Sequence, residues 1–265
     1  MGWRGAMAHG NKSDWDYRGL AAEAYDLWFG DEPYVDQAFY ADKIRELGGT
    51  SLEIACGTGR LLIPYVRDGL DVEGVDASAE MLAICRDKAQ RAGVKPVLHQ
   101  QLMQELDTGR TYRTVFIPFC SFQILARRDE AFAALERFRH HLEPGGRLLV
   151  SLFVPWTDFA VYGQWRLRRS ATRPADGATV LIHECTRSDR FEQLQRIWLR
   201  LEVYEGGRRT HVELRMHTLR WYHQHEFALM LEHVGFREVR VFHGYADAGE
   251  PDPEGEMVFS ARRPA

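Results

Sequence analysis

The residues best equipped for chemistry in this chain are a glycine turn set between acids. Residues 52–60 read Leu-Glu-Ile-Ala-Cys-Gly-Thr-Gly-Arg, an apolar strand that runs into a turn and then opens a helix. Gly57 and Gly59 carry no Cβ, so backbone there can approach a ligand closely. The first N–H groups of the helix have no partner within it and point at the same spot. Seventeen residues past Gly59, the apolar run Val72-Glu-Gly-Val-Asp76 ends on an acid. An acid at the tip of the next parallel strand can accept hydrogen bonds from both hydroxyls of a ribose. These parts suit an adenosine-containing cofactor.

The dinucleotide fingerprint needs a third glycine, and that position is Leu62. In its place the chain has Glu53 in the strand, then Ala-Cys-Gly-Thr-Gly, then Asp76 in register. This set resembles motif I of the class I S-adenosylmethionine-dependent methyltransferases. The resemblance implies that Gly57 and Gly59 pass the methionine tail of the cofactor, that Glu53 helps hold its ammonium end and that Asp76 binds the ribose. Ala55, Cys56 and Thr58 in the turn, and Ala77 and Met81 after Asp76, complete the implied cofactor wall.

The family places an acid for the adenine amino group at the end of the third strand. Leu102 stands there, followed by Met103, so this chain departs from the pattern. Either Gln101 substitutes, or backbone near Met103 makes the hydrogen bonds while Leu102 or Met103 packs on the purine. Ile117-Pro-Phe-Cys-Ser-Phe-Gln123 follows the fourth strand and resembles the family segment bordering the transferable methyl. Phe119 is a cofactor candidate there, and Ser121 and Gln123 are candidates for the acceptor pocket. The alternative for these aromatics is the core. Tyr25-Asp-Leu-Trp28 resembles a Tyr-Asp element of small-molecule methyltransferases whose N-terminal helices cover the cofactor. Aromatic faces suit a sulfonium, and the Tyr25 hydroxyl can reach the cofactor carboxylate. The competing reading packs Tyr25 and Trp28 into the core. Tyr222 and His223 are further pocket candidates. His223 and His225 are two apart on a helix and do not share a face, so no metal site is expected.

The elements that must position these groups follow from periodicity. Residues 15–30 and 32–47 read as helices, the first capped by Ser13-Asp14 and the second stopped by Gly48-Gly49. Strands are expected at 51–56, 72–76, 96–99, 114–119 and 147–154, with helices at 60–68, 79–92 and 129–141. Alternation with nearly continuous apolar strands indicates a parallel sheet covered on both faces. After Pro155 the pattern changes to period two. Ile197, Leu199, Leu201 and Val203 share one face, and Arg196, Trp198, Arg200, Glu202 and Tyr204 the other. Four antiparallel strands are expected at 165–173, 179–189, 194–205 and 208–220, with turns at Pro174–Gly177 and Glu205–Arg208. A helix at 222–234 and strands at 238–245 and 256–263 close the chain. The resemblance implies that the last strand inserts antiparallel beside the fifth.

The expected fold class is therefore α/β: a Rossmann-like seven-stranded, mostly parallel sheet with helices on both faces, plus an inserted antiparallel β-module. Residues 1–13 read as a disordered N-terminus. Residues 14–155 and 221–265 form the main domain, with 14–48 as its helical lid. Residues 156–220 form the insertion, as a substrate roof or a dimer interface.

Composition narrows the function classes. The chain has 265 residues, 45% apolar and 27% charged, with a net charge of −4. That balance argues against general binding to nucleic-acid phosphates. The longest uncharged apolar stretch, 114–126, is too short to span a bilayer and contains Pro118. No leader peptide or membrane partner is expected. Four separated cysteines without a Cys-x-x-Cys pair fit a reducing cytoplasm and support no metal. The resemblance implies methyl transfer from S-adenosylmethionine to a nitrogen or oxygen of a small molecule, with S-adenosylhomocysteine as product, mainly by proximity. A homodimer is compatible with this reading. The alternatives are a methyltransferase acting on RNA or protein, and an adenosyl-ligand sensor or nucleotide-dependent oxidoreductase.

Overall fold

The computed structural model describes residues 17–29, 35–156, 163–246 and 255–265. In chain order the main elements are α1 (Leu20–Glu23), α2 (Tyr25–Phe29), α3 (Asp36–Leu47), β1 (Ser51–Ile54), α4 (Leu62–Arg67), β2 (Val72–Asp76), α5 (Ala79–Arg91), β3 (Leu98–Gln100), β4 (Tyr112–Ile117), α6 (Arg128–His141) and β5 (Leu142–Leu152). There follow β6 (Arg166–Thr172), β7 (Thr179–Asp189), β8 (Leu194–Glu205), β9 (Arg208–Arg220), α7 (Gln224–His233), β10 (Arg237–His243) and β11 (Met257–Arg262).

The main sheet has the order β10-β11-β5-β4-β1-β2-β3. β1 pairs parallel with β2 and β4, and β11 pairs antiparallel with β5, from Met257↔Leu152 to Arg262↔Arg147. This is the mixed sheet expected from the sequence. Its two faces are read residue by residue along β4. Val115 and Ile117 face a core built with Leu135 and Phe138 of α6 and Phe227 and Leu231 of α7. Phe116 between them faces α3, α4 and α5 through Tyr40, Tyr65 and Leu82. With both faces covered, the central strands β1, β2 and β4 bury nearly every side chain, which is why they read as apolar runs.

β6 to β9 form a separate four-stranded antiparallel sheet. Its inner face is the one predicted from β8. Leu199, Leu201 and Val203 pack with Val180 and Ile182 of β7 and with Leu20, Ala21 and Ala24 of the N-terminal segment.

The helix expected over 15–30 is divided. α1 ends at Ala24, and α2 starts at once on Tyr25. Two different sets of partners hold the halves. The Gly19 N–H, at the start of α1, donates to Glu80 Oε2 on α5 at 2.7 Å, and the Leu20 N–H to Glu213 Oε2 on β9 at 3.2 Å. α2 is held by the glycine turn, described below. The Ser13-Asp14 cap and the start of the second expected helix lie outside the described residues. Among the described residues no helix is long and apolar enough to cross a membrane.

Candidate active site

β1 is buried at all four positions and delivers the chain to the carboxyl edge of the sheet. There the backbone turns left-handed at Ala55 (φ 57°) and again at Gly57 (φ 56°). The Gly57 N–H donates to Asp76 Oδ2 at 2.9 Å, and the Ser78 N–H to Asp76 Oδ1 at 2.8 Å. Ser78 also caps α5, its Oγ accepting from the Met81 N–H at 3.2 Å. The acid at the end of β2 is thus fixed by the turn on one side and a helix cap on the other.

The two turn glycines occupy different environments. A Cβ on Gly57 would meet only Met81 Cε, at 3.4 Å. A Cβ on Gly59 would meet Cys85 Sγ and Ile63 Cδ1, each at 2.7 Å, at a φ of +83°. Gly59 therefore permits helix packing, whereas Gly57 borders open space. Leu62, where a dinucleotide site has glycine, is accommodated by Gly74 on β2. A Cβ on Gly74 would lie 2.6 Å from Leu62 Cδ2 and 2.8 Å from Cys56 Sγ. The close helix–strand approach is kept, with the glycine on the strand.

A cavity of about 300 Å³ opens above this turn, within the range of small-molecule sites. Gly57, Asp76, Met81, Phe119 and Ser121 line it. Ala55, Ala77, Leu102 and Met103 also line it. Three of the five non-glycine residues with positive φ among the described residues, Ala55, Phe119 and Cys120, lie on this wall. Strained backbone gathers where surrounding structure must hold an unusual geometry.

Glu53 lies on β1 directly before the lining residues Ile54 and Ala55 and is only 2% exposed. Its Oε2 has no hydrogen-bond partner. Burial pushes its carboxyl up to about 8, against a smaller lowering by the Arg60 guanidinium. Arg60 is itself engaged by Asp36, Nη1 to Oδ1 at 2.8 Å and Nη2 to Oδ2 at 2.6 Å, and lies over the Phe119 ring. A buried carboxylate with an unused oxygen is costly unless a cation completes it. The ammonium of an amino-acid-bearing cofactor fits that requirement.

The N-terminal segment closes one side. Thr58 Oγ1 donates to Asp26 Oδ1 at 2.6 Å, and Lys88 Nζ of α5 donates to Asp26 Oδ2 at 2.8 Å. α2 is thereby pinned to the glycine turn. Ser78 Oγ donates to the Tyr17 carbonyl at 2.5 Å. Tyr17, Tyr25, Trp28 and Phe29 all line the cavity. Tyr17 meets Tyr25 edge-on at 5.2 Å, Tyr25 meets Phe29 at 4.8 Å and Phe29 meets Phe119 at 4.7 Å. Burial, followed by the charge of Asp76, holds the Tyr17 hydroxyl well above its usual range. Burial does the same at Tyr25.

Several candidates lie elsewhere. Cys56, Thr58 and Gly59 are buried behind the turn and, with Glu53, do not line the cavity. Gln123 is a brace: its Nε2 donates to the carbonyls of Phe153 and Arg220, each at 3.1 Å, and its Oε1 accepts from the Phe153 N–H at 2.8 Å. Tyr222 belongs to the core between Phe122 and Phe227. His223 begins α7, its N–H donating to Glu226 Oε2 at 3.3 Å, and its ring meets Trp156. The apolar surroundings and helix-capping geometry at 222–223 take these side chains away from the pocket. Gln101 reaches the cavity, but its side chain closes a loop, donating to the Asp107 carbonyl at 2.8 Å and accepting from the Asp107 N–H at 2.7 Å. Among the described residues no cluster of three or more His, Cys, Asp or Glu is arranged to hold a metal.

The second sheet supplies a wall that motif reading missed. Arg168, Glu184, Ile197, His217 and Leu219 line the cavity from its inner face. His217 stacks on Tyr17 at 5.0 Å. The signal was present in the pairing. Ile197 was assigned to the inward face of β8, and the register couples Ile197 to His217 and Leu199 to Glu184.

The profile of a family described as a methyltransferase domain matches residues 52–146, from β1 through β5. The chain is 28% identical over 82% of its length to a dTDP-3-amino-3,4,6-trideoxy-alpha-D-glucopyranose N,N-dimethyltransferase of Streptomyces venezuelae, covering 90% of that protein. A methyltransferase of Streptomyces caelestis superposes with a TM-score of 0.76 at 27% identity, covering 92% of this chain and 96% of that one. An amino pentose methyltransferase of Micromonospora echinaspora, solved with S-adenosylmethionine bound, shares the fold at a TM-score of 0.68 and 23% identity over 97% of this chain and 100% of that one. Residues 52–146 are thus a methyltransferase domain, and in strand order and glycine turn the chain has the fold of the class I S-adenosylmethionine-dependent methyltransferases.

Proposed function

We propose that this enzyme methylates the amine nitrogen of a small molecule, an amino sugar carried on a nucleoside diphosphate. The observation that carries the reading is the continuity of one cavity from the Gly57–Asp76 edge, past Phe119, to the inner face of the second sheet. One end suits the methyl donor, and the other leaves room for a compact acceptor. The full-length relative that acts on a dTDP-linked amino sugar supports the acceptor class.

When bound, S-adenosylmethionine supplies a methyl group already activated on a sulfonium. Asp76, held by two backbone N–H groups, would accept from the ribose hydroxyls. Leu102 and Met103, which line the cavity, would pack on the purine. Glu53, one residue before the wall at Ile54, would supply the counter-charge to the ammonium from behind the turn. Tyr25, Trp28 and Phe119 form the aromatic surround, whose ring faces attract a cation. Ser121 borders the acceptor. Rate enhancement rests on holding the nitrogen in line with the breaking bond; such positioning supplies about 7–11 kcal/mol.

The expected setting is the cytoplasm, consistent with four free, buried thiols. Neither nucleic acid nor membrane is expected as a partner. The sheet of β6 to β9 serves as the roof over the acceptor. Leu167, Val212 and Leu214 are 55%, 46% and 66% exposed on the outer face of the roof sheet, and they suit a contact with a second copy. Sedimentation equilibrium should give twice the 30.6 kDa chain mass; a monomer at all concentrations rules this out.

Calorimetry should detect S-adenosylhomocysteine and not NAD, and Asp76→Ala should abolish the signal. Incubation with S-adenosylmethionine and dTDP-3-amino-3,4,6-trideoxyglucose should add one or two methyl groups by mass spectrometry. Unchanged affinity in Asp76→Ala, or methylation of a hydroxyl sugar alone, would refute the respective part of this reading.

A further inference from the structure

We infer that Glu184, on the inner face of the second sheet, is the counter-charge that receives the acceptor's amine. This inference rests on the amine-acceptor reading above and assigns a residue to it.

The described cavity wall is mostly aromatic and aliphatic, and its only acids are Asp76 and Glu184. Asp76 has both oxygens accepting backbone N–H groups. The Tyr17 and Tyr25 hydroxyls and the Cys120 thiol are held neutral by burial, so they offer no negative charge. His217 stacks its ring face on Tyr17. An amine enters from neutral water largely as an ammonium, and a bare ammonium in an apolar cavity is costly. Glu184 is the carboxylate placed to offset that cost.

The sheet is built to present it. Glu184 pairs with Leu199, so it shares the inward face with Ile182 and Leu201. On the other side β6 carries an irregularity between Leu167 and Arg169, which leaves Arg168 as the extra residue. A bulge re-aims a side chain. Here Arg168 also lines the cavity, its Nε 3.6 Å from Glu184 Oε2. Arg168 is 55% exposed, so this end of the cavity communicates with solvent.

The chemistry balances with these groups alone. The bound ammonium loses one proton to Glu184, which passes it to water at the exposed β6 edge. The freed lone pair forms the bond to the methyl carbon while the carbon–sulfur electrons stay on sulfur. The product leaves as a methylammonium.

The test uses the full-length enzyme and its Glu184→Gln variant, with dTDP-3-amino-3,4,6-trideoxyglucose and its 3-hydroxy counterpart as probes. The variant should bind S-adenosylhomocysteine as the unchanged enzyme does and keep its melting temperature. Its KM for the amino sugar should rise about tenfold or more, the scale of a charge-assisted hydrogen bond. A KM within twofold of the unchanged enzyme overturns the assignment. So does a wild-type enzyme that methylates the hydroxyl sugar in preference to the amine. A wild-type chain that binds S-adenosylhomocysteine but methylates neither sugar removes the amine reading, and this assignment with it. The competition between the two sugars needs no variant, so a folding failure in Glu184→Gln leaves the inference open to refutation.

Discussion

Gly57 and Gly59 look equivalent in sequence and respond to different demands. Alanine at Gly59 combines a left-handed backbone with a Cβ 2.7 Å from two side chains. The expected loss is about 2–4 kcal/mol of stability, visible as a lowered denaturation midpoint. Alanine at Gly57 costs about 1 kcal/mol of backbone strain but intrudes on the cavity, so S-adenosylhomocysteine affinity should fall more than stability does. Glu53 gives a pH signature. Its carboxyl keeps a proton to about 8 in the folded chain, against 4.5 when exposed. Between those values the folded state binds more protons than the unfolded one. Stability of the ligand-free chain should therefore fall as pH rises from 4.5 to about 8, by roughly a few kcal/mol in all. Thermal melts across that window should show the slope, and Glu53→Gln should flatten it. A slope unchanged in Glu53→Gln assigns the effect elsewhere.

At the scale of elements, the strand-and-helix alternation of the main sheet and the period-two strands of the insertion were legible in the sequence, because each has one dominant burial pattern. β7, β8 and β9 fall at 179–189, 194–205 and 208–220, where alternation and the turn signals between them put them. The N-terminal segment was less legible. Its apolar residues serve two surfaces, the second sheet for Leu20 and Ala24 and the cavity for Tyr25 and Trp28, so one helical stripe cannot describe both. Gln123 and Tyr222 were misread because a polar or aromatic residue near a site looks the same in sequence whether it braces the backbone or meets a ligand. The Asp26–Thr58–Lys88 clamp was invisible, since its members come from three distant segments. Lys88→Met should loosen α2. Both ends of the ion pair are partly exposed, so the effect is about 0.5–1 kcal/mol, a two- to fivefold weaker S-adenosylhomocysteine affinity by calorimetry.

At the scale of the molecule, the cavity is assembled from two sheets and the short helices between them. Motif reading located the donor half, where backbone geometry is fixed by the cofactor. The acceptor half is written in side-chain direction across paired strands. Ile197 and His217 become neighbours only through the register of β8 with β9. This division explains why the reaction class was recoverable while Arg168, Glu184 and His217 were not.

The break at Ala24 has a kinetic consequence. α1 is tied to β9 and α5, whereas α2 is latched to the glycine turn and walls both halves of the cavity. A donor exchange that lifts α2 would open the acceptor's wall too. For the amino-sugar acceptor proposed above, a second methylation would then be distributive, with the singly methylated sugar released between turnovers. In a time course under excess acceptor, monomethyl product should accumulate before any dimethyl product is detected; dimethyl product appearing without a lag would mean that the acceptor stays seated while the donor is replaced.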